Sequence, residues 1–303
     1  MTARTNQPPS SYVAWPSLIW MAALHIGALL IFVPAYFSWS ALAVFAVGYW
    51  LTASVGICLT YHRLLVHRSF ALRPQWLEYL MAAIGCCASE GGPIGWVADH
   101  RLHHAHSDEE HDVHSPNRGL GWAHMLWWMT PDVTSRHTPS YLARWAPDLC
   151  KDPVYRWLND WHYLFPLATG AILYAIGGMP WLVWGFLART VAVLHSTWLV
   201  NSATHKWGYR THETRDNSTN LWWVALLAFG EGWHNNHHAF QTSARHGHRW
   251  WEIDPTFGMI RLMSWLGLAH GIKLPKRAKS HHKADRTREL VMADGPMGGT
   301  AAD

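Results

Sequence analysis

Charged residues are scarce in this chain, and the motifs of several large protein classes are missing. Of its 303 residues, only 15% are Asp, Glu, Lys or Arg, whereas 50% are hydrophobic. So few charges on so apolar a chain argue against an ordinary soluble domain and favour a membrane protein. Nucleic-acid-binding motifs are absent, and the net charge of +4 suits basic loops beside an anionic membrane leaflet better than a nucleic-acid partner.

Cysteine is also rare, which excludes two further classes. The four cysteines contain no Cys-x-x-Cys pair, so we expect reduced, packed residues rather than a disulfide framework or a cysteine zinc site. The His-Glu-x-x-His pattern of zinc proteases is absent as well. Because the N-terminus carries Arg4 without a compact signal-peptide pattern, we expect the first apolar run to be retained.

Long apolar runs, by contrast, are plentiful. About 20 predominantly apolar helical residues are needed to cross a bilayer, and the runs at 15–37, 40–61, 161–178 and 181–202 meet this requirement. Short breaks, "FSWS" and "GGMP", separate the members of each pair. The sequence therefore predicts an all-α integral membrane protein with four transmembrane helices in two hairpins. Arg189 lies within the last span, where a charge is costly, so its side chain should face the bundle interior.

Three shorter apolar runs, at 77–89, 120–129 and 221–229, are too short to span and fit interfacial or buried helices. Lys and Arg concentrate in 62–160 and 203–290 and are absent from the two hairpin turns, so the positive-inside bias places these segments in the cytoplasm. We expect an N-terminal segment at 1–14, one domain at 15–275 and a basic, disordered tail at 276–303.

Histidine is unusually abundant, with 23 residues, and it clusters in those cytoplasmic segments. In "HRLHH" and "HNNHH", positions i, i+3 and i+4 share a helix face, so each box aims three imidazoles at one point, and one such triad could hold one metal. Asn201 and His205 in "NSATH" are i and i+4 and also face together. His62 and His67 in "HRLLVH" are five residues apart, about 140° past alignment on an α-helix; this pair either reaches two places or sits where a helix ends.

These motifs predict a metal centre. A single box could consist of interfacial histidines without metal, but three boxes on one predicted face favour metal binding. Imidazole binds Zn, Cu, Fe and Ni, nine imidazoles exceed the needs of one metal, and an open position for a small molecule favours two irons, although two zincs remain compatible with the sequence. The candidate ligands are His62, His67, His100, His103, His104, Asn201, His205, His234, His237 and His238. Nearby carboxylates that could orient ligand imidazoles are Asp99, Glu109 and Asp112.

The sequence resembles the membrane fatty acid desaturases of the stearoyl-CoA desaturase type, in particular their bacterial and cyanobacterial Δ9 members. The resemblance runs from about His62 to Leu268 and rests on "HRLLVHRSF", "DHRLHHAHSDEEHDVHSPNRG", "TWLVNSATHKWGYR" and "FGEGWHNNHHAF". It implies four membrane helices with a cytosolic cap, and a di-iron centre held by the nine histidines above and, through water, by Asn201. Which histidine binds which iron stays open.

The resemblance also implies an activity: O2-dependent introduction of a cis double bond, at Δ9, into a fatty acyl chain. No electron-transfer domain is present in the sequence, so a separate donor such as ferredoxin or cytochrome b5 is implied. Animal acyl-CoA desaturases carry an Arg-Lys pair after the second box, whereas this chain reads "WWMTPDV" with no base before Arg136. A lipid-bound acyl substrate is therefore at least as plausible as acyl-CoA. The expected location is the bacterial inner membrane, with the active site facing the cytoplasm.

Two other functions compete with this interpretation. A di-iron membrane hydroxylase would use the same ligands but return oxygen to the carbon. A metal transporter would place its ligands near the bilayer midplane, whereas these histidines lie at span ends and between spans, which disfavours transport.

Overall fold

The computed structural model describes residues 13–130 and 136–275 of a mostly helical chain. The predicted tail at 276–303, and nearly all of the predicted N-terminal segment at 1–14, lie outside these residues. Three helical segments are long and apolar enough to cross a membrane: Trp15–Phe32, Trp39–Val66 and Leu164–His205. The protein is therefore built as a membrane protein, as its composition indicates.

The first two of these segments combine α-helix with 3-10 helix and π-helix. Helix α1 (Trp15–Ala28) continues as a 3-10 turn at Leu29–Phe32, and a second 3-10 turn follows at Pro34–Tyr36. Helix α2 (Trp39–Tyr49) begins where the Ser38 hydroxyl accepts a hydrogen bond from the Ala41 N–H. It continues without a break as a π-helix over Trp50–Val66.

Short helices occupy the chain between and after the long segments. Between the second and third segments lie α3 (Gln75–Cys86), α4 (Pro93–His106), α5 (Leu120–His124), α6 (Pro139–Trp145), α7 (Pro147–Cys150) and α8 (Pro153–Asp160), with 3-10 turns at Pro116–Arg118 and Leu126–Met129. After the third segment lie α11 (Trp222–Leu227), α12 (His234–Ala239) and α13 (Pro255–Trp265). In the described ranges, the only sheet pairs β1 (Ala71–Leu72) with β2 (Ala269–His270), antiparallel.

Local sequence explains where several of these helices begin. Pro93, Pro139, Pro153 and Pro255 each occupy the first helical position, where the missing N–H costs no hydrogen bond. In α8 and α13 the preceding aspartate accepts a hydrogen bond from backbone N–H groups of the first turn.

The third long segment is broken at Gly178. It comprises α9 (Leu164–Trp181), a π-helix at Leu182–Ala188, α10 (Arg189–Ser202) and a 3-10 turn at Ala203–His205. Gly178 has φ 62° and ψ −154°, a conformation that glycine tolerates. A Cβ added at Gly170 would lie 3.0 Å from the Phe186 ring, so residues on the two sides of Gly178 pack against each other.

Close glycine contacts hold the second segment against α3. A Cβ at Gly56 would lie 2.8 Å from Gly85 Cα, and a Cβ at Gly85 would lie 2.3 Å from the Tyr61 ring. Small residues at such a contact allow two helix backbones to approach. Arg189 is 1% exposed and donates to the Cys87 carbonyl at 2.8 Å, which confirms that its side chain faces the protein interior.

We expect Gly56→Ala to destabilise the protein by about 1–3 kcal/mol, the usual cost of overpacking a tight contact. The added methyl group would meet backbone atoms of α3, which cannot move aside as a flexible side chain can. Thermal unfolding in detergent measures the effect. Gly258→Ala in α13 is the matched control, because a Cβ there meets nothing within 4 Å, and alanine is the better helix former. Equal unfolding temperatures for the two variants would contradict the tight contact.

Candidate metal centre

The three histidine boxes are, in chain order, "HRLLVH", "HRLHH" and "HNNHH". The π-helix brings together the two histidines of the first box, His62 and His67. His67 follows the last turn of the helix, and its N–H donates to the His62 carbonyl at 3.2 Å, five residues back. The two rings have centroids 4.7 Å apart. The α-helical spacing argument allowed them to reach two different places, and this alternative is wrong because the helix here is not an α-helix. The other alternative, a pair at a helix end, is confirmed.

The second box divides between two groups of histidines. On an α-helix, positions i and i+4 differ by about 40°, whereas i+3 lies about 60° to the other side of i. His100 and His104 accordingly face each other, with their Nε2 atoms 3.0 Å apart. His103 turns away and its ring lies 5.3 Å from that of His238. The expectation that the three imidazoles of one box aim at one point is therefore wrong, because the i+3 ring leaves the i and i+4 pair.

The third box also divides between the two groups, but here its i+3 histidine joins the group that contains His100 and His104. His237, at i+3, places its Nε2 3.1 Å from His62 Nε2 and 3.0 Å from His104 Nε2. His234 and His238, at i and i+4, have ring centroids 4.3 Å apart. His234 Nε2 also lies 3.0 Å from His205 Nε2. The second and third boxes therefore each contribute histidines to two separate groups.

All nine predicted histidines thus form two clusters, and within each cluster the candidate ligand atoms lie within 4.8 Å of one another. Seven of the nine are buried, and His100 and His104 are partly buried. The first cluster consists of His62, His67, His100, His104 and His237, and the second of His103, His205, His234 and His238.

The chemistry of these donors fits bound cations. His237 Nε2 faces two other imidazole nitrogens, and the one proton of a neutral imidazole can satisfy only one such contact. Several buried ring nitrogens of the clusters also have no hydrogen-bond partner among the described residues, including His67 Nε2 and His238 Nε2. Imidazole lone pairs that converge in this way are the ligand set of a transition metal.

Carboxylates face the opposite nitrogen of four cluster histidines. Asp112 accepts from His103 Nδ1 at 3.0 Å, and Asp216 accepts from His238 Nδ1 at 2.7 Å. Asp108 lies 3.0 Å from His205 Nδ1, and Glu231 lies 2.7 Å from His62 Nδ1. A proton held on Nδ1 leaves the Nε2 lone pair free for a metal and fixes the ring orientation.

The predicted carboxylates fall in different places. Asp112 contacts a cluster histidine, as just described. Asp99 accepts from the Tyr141 hydroxyl at 2.8 Å and faces His137 at 3.1 Å, and Glu109 faces His106 at 3.0 Å. Sequence reasoning missed three carboxylates, although one had a local signal, because Glu231 lies three residues before His234, the first residue of the third box. Those missed are Asp108, Asp216 and Glu231.

Burial keeps most of these imidazoles neutral. Removal from water lowers the pKa of the cluster histidines outside the spans, and neighbouring imidazoles lower it further. His103 differs: burial lowers its pKa, but the carboxylates of Asp112, Asp108 and Asp216 together outweigh burial and the net direction is upward. Neutral imidazoles have the free lone pair that metal binding requires. Those with a lowered pKa include His100, His104, His234 and His237.

A cavity of about 260 Å³ adjoins both clusters. Asn201 lines it together with residues of each cluster, such as His100 and His234. Glu90, which sequence reasoning also missed, accepts hydrogen bonds from Thr197 at 2.7 Å and Trp96 at 3.0 Å, and burial raises its pKa to about 7. The lining is mostly apolar and includes Ala53, Ile57, Trp127, Trp128, Trp198, Val200 and Ala228.

Comparison with known proteins identifies the family. The fatty acid desaturase family model matches residues 38–263. The chain belongs to this family. It is 48% identical over 276 residues to the sn-1 stearoyl-lipid 9-desaturase of Anabaena variabilis, covering 90% of this chain and 98% of the relative. It is 45% identical to the enzyme of the same name from Synechocystis sp., covering 92% and 86% of the two chains.

A third relative has a different substrate in its name. The acyl-CoA C20 Delta5-desaturase of Anemone leveillei is 43% identical over 258 residues, covering 85% of this chain and 81% of the relative. The family and these relatives make this protein an oxidoreductase that desaturates fatty acyl chains. The predictions of family and reaction class are thereby confirmed.

We expect loss of metal and of desaturation when one cluster histidine is replaced by Ala, because each contributes a ring nitrogen to a shared site. Elemental analysis should find about two metals per wild-type chain, as nine imidazoles can supply four or five donors to each. His270→Ala is the control, since this histidine is exposed in β2. Full metal content and turnover in any one of the cluster variants would refute its ligand role. The variants are His62→Ala, His104→Ala, His205→Ala, His234→Ala and His238→Ala.

Proposed function

We propose that this protein introduces a cis double bond at the Δ9 position of a fatty acyl chain that is attached to a membrane lipid, using O2 and two irons. The observation that carries this proposal is the pair of histidine clusters beside a mostly apolar cavity. The names of two similar cyanobacterial enzymes, both stearoyl-lipid 9-desaturases, support the position and the lipid-bound substrate.

The two clusters would hold one iron each, and Asn201 would act with the second cluster through a water molecule. When bound, the irons supply the O2 chemistry that removes hydrogen from unactivated methylene carbons. For each double bond, two C–H bonds break and one C=C bond forms. One O2, two electrons and two protons are consumed, and two water molecules are released.

Residues of the chain itself orient the ligand imidazoles and keep water away from the acyl chain. The carboxylates Asp108, Asp112, Asp216 and Glu231 fix the imidazoles that they contact. The apolar cavity walls bind the acyl chain at about 0.8 kcal/mol per buried CH2. Glu90 joins the chain segments of Trp96 and Thr197 at the cavity wall, which holds the cavity's shape next to the clusters.

The charge of the cavity lining supports a lipid-bound substrate over coenzyme A. Three acidic side chains line the cavity, while no Lys or Arg does so among the residues that the structure describes. Arg136, the first basic residue after "WWMTPDV", has a carboxylate partner within the protein, since its Nη1 lies 3.7 Å from Asp99 Oδ1. Coenzyme A phosphates need charge-assisted partners for tight binding, and this lining offers none.

The proposed topology has four spans with a cytosolic cap, within a domain at 15–275. The third long segment has 42 residues, which would extend about 63 Å as a straight helix, twice the ~30 Å hydrocarbon core. The break at Gly178 and the packing of Gly170 against Phe186 support a hairpin of two spans. The proposed membrane is the bacterial inner membrane, and the positive-inside bias of the basic loops supports a cap and clusters that face the cytoplasm.

The electron donor is proposed to be a separate acidic protein such as ferredoxin or cytochrome b5. Lys206 directly follows the cluster residue His205, and Lys206, Arg210 and Arg215 are exposed. A basic surface beside the second cluster would attract an acidic donor and speed its association.

We expect reconstituted protein with a matched reductase and donor to desaturate a phospholipid-bound stearoyl chain at least as fast as stearoyl-CoA. The acyl chain binds equally in both cases. The phosphates of coenzyme A would have to bind the protein, whose cavity lining, in the part of the chain that the structure describes, offers no cationic partners, whereas the phosphate of a phospholipid can stay in the hydrated bilayer interface. Mass spectrometry of the products gives both the rate and the double-bond position. Turnover of the thioester alone would contradict the lipid-bound substrate while leaving the desaturase reaction intact.

We expect a membrane-impermeant maleimide, added outside intact cells, to label Ala35→Cys but neither Glu110→Cys nor Gln241→Cys in a cysteine-free background. All three positions are exposed; Ala35 lies in the turn between the first two spans, and the others lie near the second and third boxes. Lysed cells control for reactivity. External labelling of Glu110→Cys or Gln241→Cys would overturn the cytoplasmic cap.

A further inference from the structure

We propose that His246 is a positioning residue for the first cluster: it holds the Glu231 carboxylate in place, and Glu231 in turn orients His62. No box motif contains His246, which lies eight residues after the third box. The proposal rests on the proposed function in one respect only, namely that the first cluster binds metal.

The contacts of Glu231 are the first argument. One carboxylate oxygen, Oε2, lies 2.7 Å from His62 Nδ1 and 3.1 Å from His246 Nδ1. The other oxygen, Oε1, lies 3.0 Å from Nη2 of Arg63 and accepts a hydrogen bond from its Nε at 3.0 Å. Arg63 therefore fixes one end of the carboxylate, and the two histidines share the other end.

The backbone of His246 is itself fixed, which makes its ring a rigid support. Its N–H donates to Asp254 Oδ2 at 2.7 Å, and its carbonyl accepts from Asn236 Nδ2 at 2.9 Å. Asp254 also pairs with Arg63 at 2.9 Å, and Asn236 belongs to the third box. His246 is thus tied both to the arginine beside His62 and to the helix that carries His237.

The protonation pattern of His246 follows from its surroundings. The side chain is fully buried, with 0% exposure. Within the described ranges neither ring nitrogen makes a hydrogen bond of full geometry, and the polar atom near Nδ1 is Glu231 Oε2, 3.1 Å away. A neutral imidazole carries one proton, and the carboxylate oxygen next to Nδ1 is the acceptor that stabilises the proton there. The proton of His246 therefore lies on Nδ1, facing the same Glu231 oxygen that His62 Nδ1 faces.

The consequence concerns His62. With Oε1 held by Arg63 and Oε2 held by His246, the carboxylate cannot rotate away from His62 Nδ1. It keeps the proton of His62 on Nδ1, and the Nε2 lone pair then faces the first cluster. Partners of this kind typically change metal affinity about 10–100-fold when removed.

His246 also contacts the His237 ring, with centroids 4.4 Å apart, so simple packing is the competing explanation. Two substitutions separate the roles. His246→Asn removes ring volume, but its amide nitrogen takes the place of Nδ1 and keeps a donor for Glu231. His246→Leu keeps apolar bulk against His237 and removes the donor. The hydrogen-bond role predicts tighter metal binding in the Asn variant, and the packing role predicts tighter binding in the Leu variant.

The experiment titrates metal-free protein in detergent with ferrous iron, using a competing chelator to obtain the affinity of each site. We expect His246→Leu to weaken one of the two sites about 10–100-fold and His246→Asn to stay within a few-fold of wild type. His248→Leu is the control, since His248 lies in the same loop but contacts His212 at 3.2 Å. Thermal unfolding of the metal-free variants shows whether each is folded.

The outcomes are distinguishable. Wild-type affinity in His246→Leu, or weaker binding in His246→Asn than in His246→Leu, would overturn the positioning role. Absence of iron binding in the wild type would instead overturn the proposed function. If His246→Leu does not fold, His246→Gln replaces it, because its donor reaches the Nε2 position and not Nδ1; binding as tight as in His246→Asn would then refute the inference.

Discussion

Mutual repulsion between imidazole lone pairs is the constraint on which this structure depends. Neutral ring nitrogens of five side chains meet in the first cluster and of four in the second, and in the absence of a cation their lone pairs oppose one another. Each ring must be held against this repulsion from its far side. Carboxylates do so for several rings, and buried Arg63 in turn compensates the negative charge of Glu231 and Asp254, since an unpaired buried charge is costly.

The helical period explains why the clusters lie side by side. One His-x-x-His-His box on an α-helix points two rings to one side and one ring to the other. Two such helices, α4 and α12, face each other so that the pair from one meets the single ring from the other. His104 and His237 meet in this way in the first cluster, with their Nε2 atoms 3.0 Å apart. Two facing boxes of this kind therefore place two groups of imidazoles side by side, which is the arrangement that two neighbouring metal sites would need.

The sequence predicted the parts of the site that are local and missed the parts that tertiary contacts decide. Nine histidines were identified because each lies in a short motif. Asp216 lies 22 residues before its partner His238, and Asp108 lies 97 residues before His205; no sequence period connects such pairs. The π-helix was also unpredictable, since 17 residues of apolar sequence at Trp50–Val66 fit an α-helix equally well. The long apolar segments were predictable because bilayer thickness sets their length, whereas the break at Gly178 depends on packing across it.

Sequence separation within the first cluster has a consequence for folding. His62 and His237 are 175 residues apart, and closing so long a loop costs only slightly more entropy than closing a short one. A cation bound between them would act as a cross-link that joins the end of the second long segment to α4 and α12 at once. Its binding energy is available only to a chain whose segments have already met, so it adds to the cooperativity of folding. Starvation for metal should therefore loosen α4 and α12 while the long apolar helices persist.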